Sequence, residues 1–194
     1  MTTTIGLLSD THIPHRMPRL PDAVFDALTG VDMVLHAGDV DDPAALLPLQ
    51  DLAPVHAVRG NIHLTEFSDG GAILPAVIEL SLTGYRLVLT HGHRPGLLGL
   101  FTKGISLIGR GMGLVSTHHF NQHIAHRLAR LYTTADVIVF GHTHMAHVEY
   151  VGSTLLINPG AVCPNLCPGV QDQQSVARLY LDTGKPDVEI IPIR

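Results

Sequence analysis

The stretch ADVIVFGHTHMAH, residues 135–147, passes from an apolar run directly into two histidines that lie one residue apart. Short runs of Val, Ile and Leu that end at Gly or Asp are typical of buried strands. The same pattern, an apolar run that ends in a polar or glycine-containing cluster, occurs five more times in the chain. These runs are TIGLLSDTH (4–12), VDMVLHAGD (31–39), PVHAVRGN (54–61), YRLVLTHGH (85–93) and TLLINPGA (154–161).

Helical segments are expected between several of these strands. They are PDAVFDALTG (21–30), DPAALLPLQDLA (42–53, with Asp42 as N-cap) and THHFNQHIAHRLARLYTTAD (117–136, with Phe120, Ile124, Leu128 and Leu131 on one face). Segments 79–91, 147–158 and 177–193 read as hairpins that turn at glycine-containing loops. Alternating strands and helices combined with hairpins predict an α/β fold of two stacked sheets, with helices on their outer faces.

Composition narrows the class of protein. The chain has 194 residues, of which 45% are hydrophobic and 15% charged, and this predicts a single globular domain, residues 1–194. The formal charge of -5 provides no basic surface for long nucleic acid. No apolar run reaches membrane-spanning length, the start lacks a basic signal region, and two cysteines are too few for a disulfide framework. We therefore expect a cytoplasmic protein without a membrane partner.

The polar clusters at the strand ends contain side chains that bind metals. In extended backbone Asp10 and His12 would point the same way and could share one ion. The complete set of two carboxylates, one amide oxygen and four imidazoles is Asp10, His12, Asp39, Asn61, His91, His142 and His144. Such nitrogen and oxygen ligands suit Mn²⁺, Fe, Co²⁺ or Zn²⁺, and seven are too many for one ion. We therefore expect two ions that share a bridging carboxylate, and such a pair can hold a hydroxide for attack on phosphorus.

These residues also carry a family resemblance. The ordered motifs are Asp10-x-His12, Gly38-Asp39, Gly60-Asn61, His91-Gly92-His93 and Gly141-His142-Thr143-His144. They resemble those of the calcineurin-like metallophosphoesterases. The chain length and the sequence INPGA at 157–161 resemble the small single-domain phosphodiesterase branch, to which the retromer scaffold subunit is related. The resemblance implies a four-layer α/β/β/α sandwich of two mixed sheets flanked by helices.

The resemblance also implies a role for each ligand. Asp10, His12 and His144 would hold the first metal, Asp39 would bridge, and a second group would hold the other metal: Asn61, His91 and His142. The expected cofactors are two divalent transition metal ions, Mn²⁺ first and otherwise Ni²⁺, Co²⁺, Fe²⁺ or Zn²⁺.

The implied function is a phosphodiesterase that hydrolyses a small phosphate ester by attack of a hydroxide bridging the two metals. Two alternatives stay open. The first is a phosphomonoesterase or protein phosphatase, and the second is a catalytically silent metal-binding scaffold. Neither composition nor motif separates diesters from monoesters, because the metal pair activates water in the same way for both.

One position departs from the family pattern. Many members have a histidine directly after the asparagine, where it contacts the substrate phosphate, but this chain has Ile62 there and His63 next. His63 is a candidate proton donor, although a shift of one residue in extended backbone reverses the direction of the side chain. His93 is a candidate for contact with the substrate or for support of a metal ligand. Without a leaving-group acid, diesters and activated aryl esters are favoured.

Residues 94–117 form a glycine-rich apolar insertion relative to the shortest family members. It is interpreted as an extra core helix or dimer contact, or alternatively as a lid hinged at its glycines. The interval 94–130, which includes the histidines of the third helical segment, is a candidate interface for a homo-oligomer. Cys163 and Cys167 are interpreted as structural or incidental, although Cys163 follows the INPGA turn and is expected near the substrate.

Overall fold

Ten strands, two α-helices and one 3₁₀ helix form the part of the chain described by a computed structural model, residues 2–61, 74–93, 117–164 and 173–193. The strands are β1 (Thr3–Leu8), β2 (Met33–His36), β3 (Val55–Ala57), β4 (Val77–Leu82), β5 (Tyr85–Thr90), β6 (Val137–Val139), β7 (His147–Val151), β8 (Thr154–Asn158), β9 (Ser175–Leu181) and β10 (Asp187–Pro192). The helices are α1 (Asp22–Leu28), the 3₁₀ helix (Pro43–Asp51) and α2 (Thr117–Leu131). All six apolar runs and all three hairpins predicted from the sequence are confirmed.

The strands form two mixed five-stranded sheets. The first has the order β10-β9-β1-β2-β3, and the second has the order β4-β5-β6-β8-β7. In the first sheet β1 pairs in parallel with β2, and β2 with β3, whereas β9 is antiparallel to both of its neighbours. In the second sheet β5, β6 and β8 are parallel, and antiparallel strands lie at both edges. The parallel strands of each sheet therefore end at one common edge.

Alternating side chains of the central strands define four layers. In β1, Ile5 and Leu7 belong to a buried apolar core together with Val137 and Val139 of β6, which lies in the other sheet. The Leu8 side chain lies on the opposite face of the first sheet. It packs into a second cluster with residues of α1 and the 3₁₀ helix. A third cluster packs α2 on the second sheet. The predicted α/β/β/α sandwich is confirmed, and burial on both faces explains why these strands are continuously apolar.

Two local expectations need correction. The segment after Asp42 is a 3₁₀ helix, because Pro48 in its interior has no N–H to donate to an α-helical hydrogen bond. Asp42 caps this helix as expected and accepts a hydrogen bond from the Ala44 N–H at 2.8 Å. In α2, Ile124 and Leu128 are buried, but Leu131 is 63% exposed because the helix ends there.

Three sequence predictions lie outside the described residues. They concern His63, Cys167 and the insertion at 94–117, of which only Thr117, the first residue of α2, is placed. None of the described helices is long and apolar enough to cross a membrane.

We predict that the layer between the sheets contributes most of the stability. Leu89 of β5 is fully buried there, opposite Ile78 of β4 and Val139 of β6. Leu89→Ala should lower the free energy of unfolding in urea by about 2–5 kcal/mol, because it removes apolar contacts and leaves a cavity. The matched control is Leu47→Ala on the 3₁₀ helix, where Leu47 is 59% exposed and the change should stay within about 0.5 kcal/mol. Equal losses in both variants would contradict this account of the core.

Candidate metal centre

The loops that leave five parallel strands meet at one edge of the sandwich. They follow β1, β2 and β3 of the first sheet and β5 and β6 of the second. Within the first sheet the Asp10 N–H donates to the carbonyl of Gly38 at 2.9 Å. Across the two sheets the His142 N–H donates to Asp10 Oδ2 at 3.1 Å. The strand ends of both sheets are thus joined directly by hydrogen bonds at the candidate site.

One group of ligand atoms lies on the β1 side of the site. Asp10, His12, Asp39 and His144 each place one nitrogen or oxygen within 4.8 Å of all the others. Asp10 Oδ1 and His12 Nε2 are buried and have no hydrogen-bond partner among the described residues. Unsatisfied buried polar atoms are costly, so two of them aimed at one point indicate a missing partner. These donors fit a divalent transition metal ion.

A second group lies beside the first. Asn61 Oδ1 lies 2.9 Å from His91 Nε2 and 2.7 Å from His142 Nδ1. The Asp39 carboxylate stands between the two groups, because its Oδ2 lies 3.5 Å from His12 Nε2 and 3.4 Å from His91 Nε2. All seven side chains proposed from the sequence therefore converge, and Asp39 occupies the central position.

Three of the four histidines are held by the ring nitrogen that points away from the site. His12 Nδ1 lies 3.3 Å from Asp41 Oδ1, and His91 Nδ1 lies 2.7 Å from the carbonyl of Ala37. His144 Nδ1 lies 3.7 Å from Cys163 Sγ. Metal-binding histidines are typically oriented in this way, because a partner on one nitrogen fixes the ring and leaves the other nitrogen free for the ion.

The two buried carboxylates, those of Asp10 and Asp39, strongly favour positive charge nearby. Burial of His91 opposes protonation, but the nearby carboxylates of Asp39 and Asp10 outweigh it and raise its pKa to about 9. His144 shows the opposite balance: burial lowers its pKa although Asp10 favours the charged form. Bound cations would satisfy the carboxylates and leave the imidazoles neutral, as ligands must be.

His93 lies next to the second group and is not one of its members. Its ring centroid is 5.5 Å from that of His91 and 6.4 Å from that of His142. Burial, assisted by the positive charge of His91, lowers the pKa of His93 to about 4. Its Nδ1 is buried and has no hydrogen-bond partner within the part of the chain that the structure describes. His93 is therefore a neutral imidazole at the edge of the site.

His36, the last residue of β2, has a structural role. Its Nδ1 accepts a hydrogen bond from the Gly38 N–H at 3.2 Å, and its Nε2 lies 3.2 Å from the Thr11 hydroxyl. Burial lowers its pKa to about 3, so the ring is neutral and braces the loop before Asp39.

The ligands sit on unusual backbone. Five of the seven have positive φ, a region that non-glycine residues rarely adopt: Asp10 (53°), His12 (49°), Asp39 (57°), His142 (77°) and His144 (60°). Asp10 and His12 thus meet through left-handed backbone, and the extended geometry expected from the sequence is wrong. Clusters of such conformations mark sites whose geometry is imposed by the surrounding structure.

Two glycines permit the close approach of the loops. A Cβ atom at Gly60 would lie 1.8 Å from Asp39 Oδ1, and one at Gly141 would lie 1.9 Å from Ser9 Oγ. The glycine that precedes Asn61 and the one that precedes His142 are therefore required by space.

Sequence reasoning missed a buried polar network behind the histidine pair. The Thr143 hydroxyl donates to Asn121 Oδ1 at 2.6 Å, and Asn158 Nδ2 donates to Thr143 Oγ1 at 3.0 Å and to the Gly141 carbonyl at 2.9 Å. The network ties the 141–145 loop to α2 and β8. One signal was available, because Asn121 has helical spacing from the buried Ile124 and Leu128 and therefore lies on the apolar face of α2.

Comparison with known proteins agrees with this geometry. The family profile described as "Calcineurin-like phosphoesterase superfamily domain" matches residues 3–184. The chain belongs to this superfamily. It is 34% identical over 187 residues to a probable metallophosphoesterase of Methanothermobacter thermautotrophicus, with 96% of this chain and 91% of the relative covered. The match to this superfamily and to a relative named as a probable metallophosphoesterase supports a metal-binding hydrolase of phosphoric esters.

Two further similarities are more distant. A protein of Methanocaldococcus jannaschii named as a phosphodiesterase is 26% identical over 171 residues, with 82% of this chain and 84% of that protein covered. The structure of Vacuolar Protein Sorting 29 from Cryptosporidium parvum superposes with a TM-score of 0.66 at 17% identity, covering 99% of this chain and 98% of the other. The latter similarity shows the shared fold alone.

We predict that Asp41 sets the affinity for metal although it is not a ligand in the seven-residue set. Its two oxygens accept from His12 at 3.3 Å and from His15 at 2.8 Å, and the carboxylate is 1% exposed. Asp41→Asn should weaken binding of Mn²⁺ to the metal-free protein about 10- to 100-fold, because His12 loses its orienting carboxylate. The neighbouring Asp42→Asn is the control, since Asp42 only caps the 3₁₀ helix. Equal metal affinities in both variants, measured by titration calorimetry, would contradict the prediction.

We also predict that His36 makes the stability of the chelator-treated protein sensitive to acid. Its folded pKa of about 3 is below the ordinary 6.5, so the unfolded chain binds the proton first. Its contribution to stability is complete above pH 6.5 and is lost progressively as the pH falls toward 3. Between pH 7 and pH 5 the wild type should lose about 2 kcal/mol more than His36→Gln does. His123→Gln, at an exposed position of α2, serves as control and should keep the wild-type pH slope.

Proposed function

We propose that the protein is a phosphodiesterase that acts on a small phosphate ester with two divalent transition metal ions, of which Mn²⁺ is the first candidate. The observation that carries this proposal is the position of the Asp39 carboxylate, whose Oδ2 is nearly equidistant from His12 and His91. A carboxylate with one ligand group on each side is the arrangement that a pair of ions about 3.5–4 Å apart requires.

Each ligand group has a distinct part in this proposal. Asp10, His12 and His144 would hold the first ion, and Asn61, His91 and His142 would hold the second. When bound, the ions would supply an activated water and withdraw electron density from the phosphoryl oxygens. The protein keeps its ligands in place by bonds to their remote atoms: Ser9 Oγ donates to Asp10 Oδ2 at 2.6 Å, and the Asn61 N–H donates to Asp39 Oδ1 at 2.8 Å.

The residues around Asn61 favour a diester as substrate. Ile62, which follows the ligand, has no proton to give, so departure of a poor leaving group receives no help from this position. His93 is a titratable group next to the second ligand set. It is neutral, and its Nδ1 is buried without a hydrogen-bond partner among the residues that the structure places. We propose that His93 contacts the substrate there. The similarity to a protein named as a phosphodiesterase agrees with this preference.

A panel of metals and substrates tests the function. Metal-free protein is loaded with Mn²⁺, Ni²⁺, Co²⁺, Zn²⁺ or Mg²⁺ and assayed with aryl monoesters, aryl diesters and cyclic nucleotides. We expect two bound ions per chain, and a higher kcat/KM for aryl diesters than for the matching monoesters. Asp39→Asn should lower kcat/KM about a hundredfold or more, because it weakens the bridge between the groups. Higher kcat/KM for monoesters would assign a phosphomonoesterase, and two bound ions without turnover would assign a scaffold.

The role of His63 is tested by its effect on the leaving group. If His63 donates a proton, His63→Ala should slow aryl diesters with poor leaving groups far more than those with good ones. The measurement is the slope of log kcat/KM against the pKa of the leaving phenol, in wild type and variant. A steep slope in the wild type that the variant leaves unchanged would exclude His63 as the acid. His56→Ala, at a described position on β3, is the control for removal of a histidine elsewhere in the chain.

A further inference from the structure

The loop that follows His12 returns Arg16 to the edge of the metal centre. The Arg16 N–H donates to the His12 carbonyl at 2.8 Å, which closes a turn directly after this ligand. Met17 and Leu20 are buried in the apolar cluster on the outer face of the first sheet and anchor the continuation of the loop. The position of Arg16 is thus determined by packing on one side and by the ligand loop on the other.

The Arg16 side chain lies beside the supports of the first ligand group. Its Nη1 donates to Cys163 Sγ at 3.7 Å, and this sulfur lies 3.7 Å from His144 Nδ1. Cys163 is 1% exposed, whereas Arg16 is half-buried and borders both the sulfur and solvent. The guanidinium is therefore a permanent positive charge beside the sulfur that supports His144 of the first metal group.

Arg16 has no carboxylate partner among residues 2–61, 74–93, 117–164 and 173–193. Two other arginines in this part of the chain have stronger acceptors: Arg19 contacts Asp22 at 2.7 Å, and Arg178 donates to the carbonyls of Ala27 and Thr29. The described partner of the Arg16 side chain is a sulfur, which is a weak acceptor. A guanidinium has five N–H donors, so the described residues occupy only a small part of the donor capacity of Arg16.

We propose that Arg16 binds an ionised non-bridging oxygen of the substrate phosphate at the edge of the site next to His144. The inference rests on the proposed function, since it assigns a second contact to the same phosphate that the metal ions would hold. The planar guanidinium matches a phosphate group in a way that an ammonium does not, because two N–H groups can donate side by side. Arg16 would thus recognise the phosphate group and would make no contact with the alcohol parts of the ester.

The test uses orthophosphate as the probe and full-length protein loaded with Mn²⁺. Arg16→Gln should weaken phosphate binding about 10- to 100-fold, the loss expected for one charge-assisted hydrogen-bonding group, while the number of bound Mn²⁺ ions stays unchanged. Arg16→Lys should fall between the wild type and Arg16→Gln, because it restores the charge without the fork. Arg19→Gln removes the same charge from the same loop and should bind phosphate as the wild type does.

The number of bound Mn²⁺ ions separates direct from indirect action. If Arg16 binds phosphate, Arg16→Gln at saturating Mn²⁺ should lose affinity for phosphate and keep the wild-type number of bound Mn²⁺ ions. Wild-type phosphate affinity in Arg16→Gln would overturn the inference, and so would loss of Mn²⁺ in Arg16→Gln, since Arg16 would then act through His144. Failure of the proposed function looks different, because the wild type itself would then hydrolyse no phosphate ester.

Discussion

The candidate site depends on the burial of two carboxylates between loops of two different sheets. Asp10 follows β1 and Asp39 follows β2, and both are almost inaccessible to solvent, at 0% and 3% exposure. Buried carboxylates persist only where donors or cations compensate their charge. Here the backbone supplies part of that compensation, since the N–H groups of His142 and Asn61 donate to Asp10 Oδ2 and Asp39 Oδ1. The remaining oxygens face the histidines, and this is where cations are expected to bind.

The sandwich positions these atoms through the direction of its parallel strands. Because β1, β2 and β3 run together in one sheet, and β5, β6 and β8 run together in the other, both sets of loops emerge at the same edge. The strand interiors are apolar on both faces and cannot hold charge, so chemistry is confined to the strand ends. Left-handed backbone at five ligands then turns the side chains toward a common centre. The strain is tolerated because the layers beneath it are closely packed.

Much of this arrangement was readable in the sequence, for a physical reason. An apolar run that ends in Gly, Asp, Asn or His indicates both a buried strand and the polar cluster at its end. The two sheets and the seven converging side chains could therefore be predicted from six short motifs. The supporting residues were harder to predict. Asp41 and Asp42 are adjacent acids that read alike in the sequence, yet one orients His12 and the other caps a helix. The difference comes with the left-handed backbone at Asp41, where φ is 65°. The local sequence pattern does not predict this conformation.

The supports of the two histidines in the first ligand group differ in chemistry, and this difference has consequences for the site. His12 is backed by the buried carboxylate of Asp41, whereas His144 is backed by the sulfur of Cys163. A carboxylate behind an imidazole increases its basicity and strengthens its bond to a metal. Burial raises the pKa of Cys163 to about 12, although Arg16 opposes the shift, so the thiol is neutral and gives His144 much less support. Of these two candidate ligands, His12 is accordingly held more firmly than His144, which lies on the side where Arg16 is half-exposed.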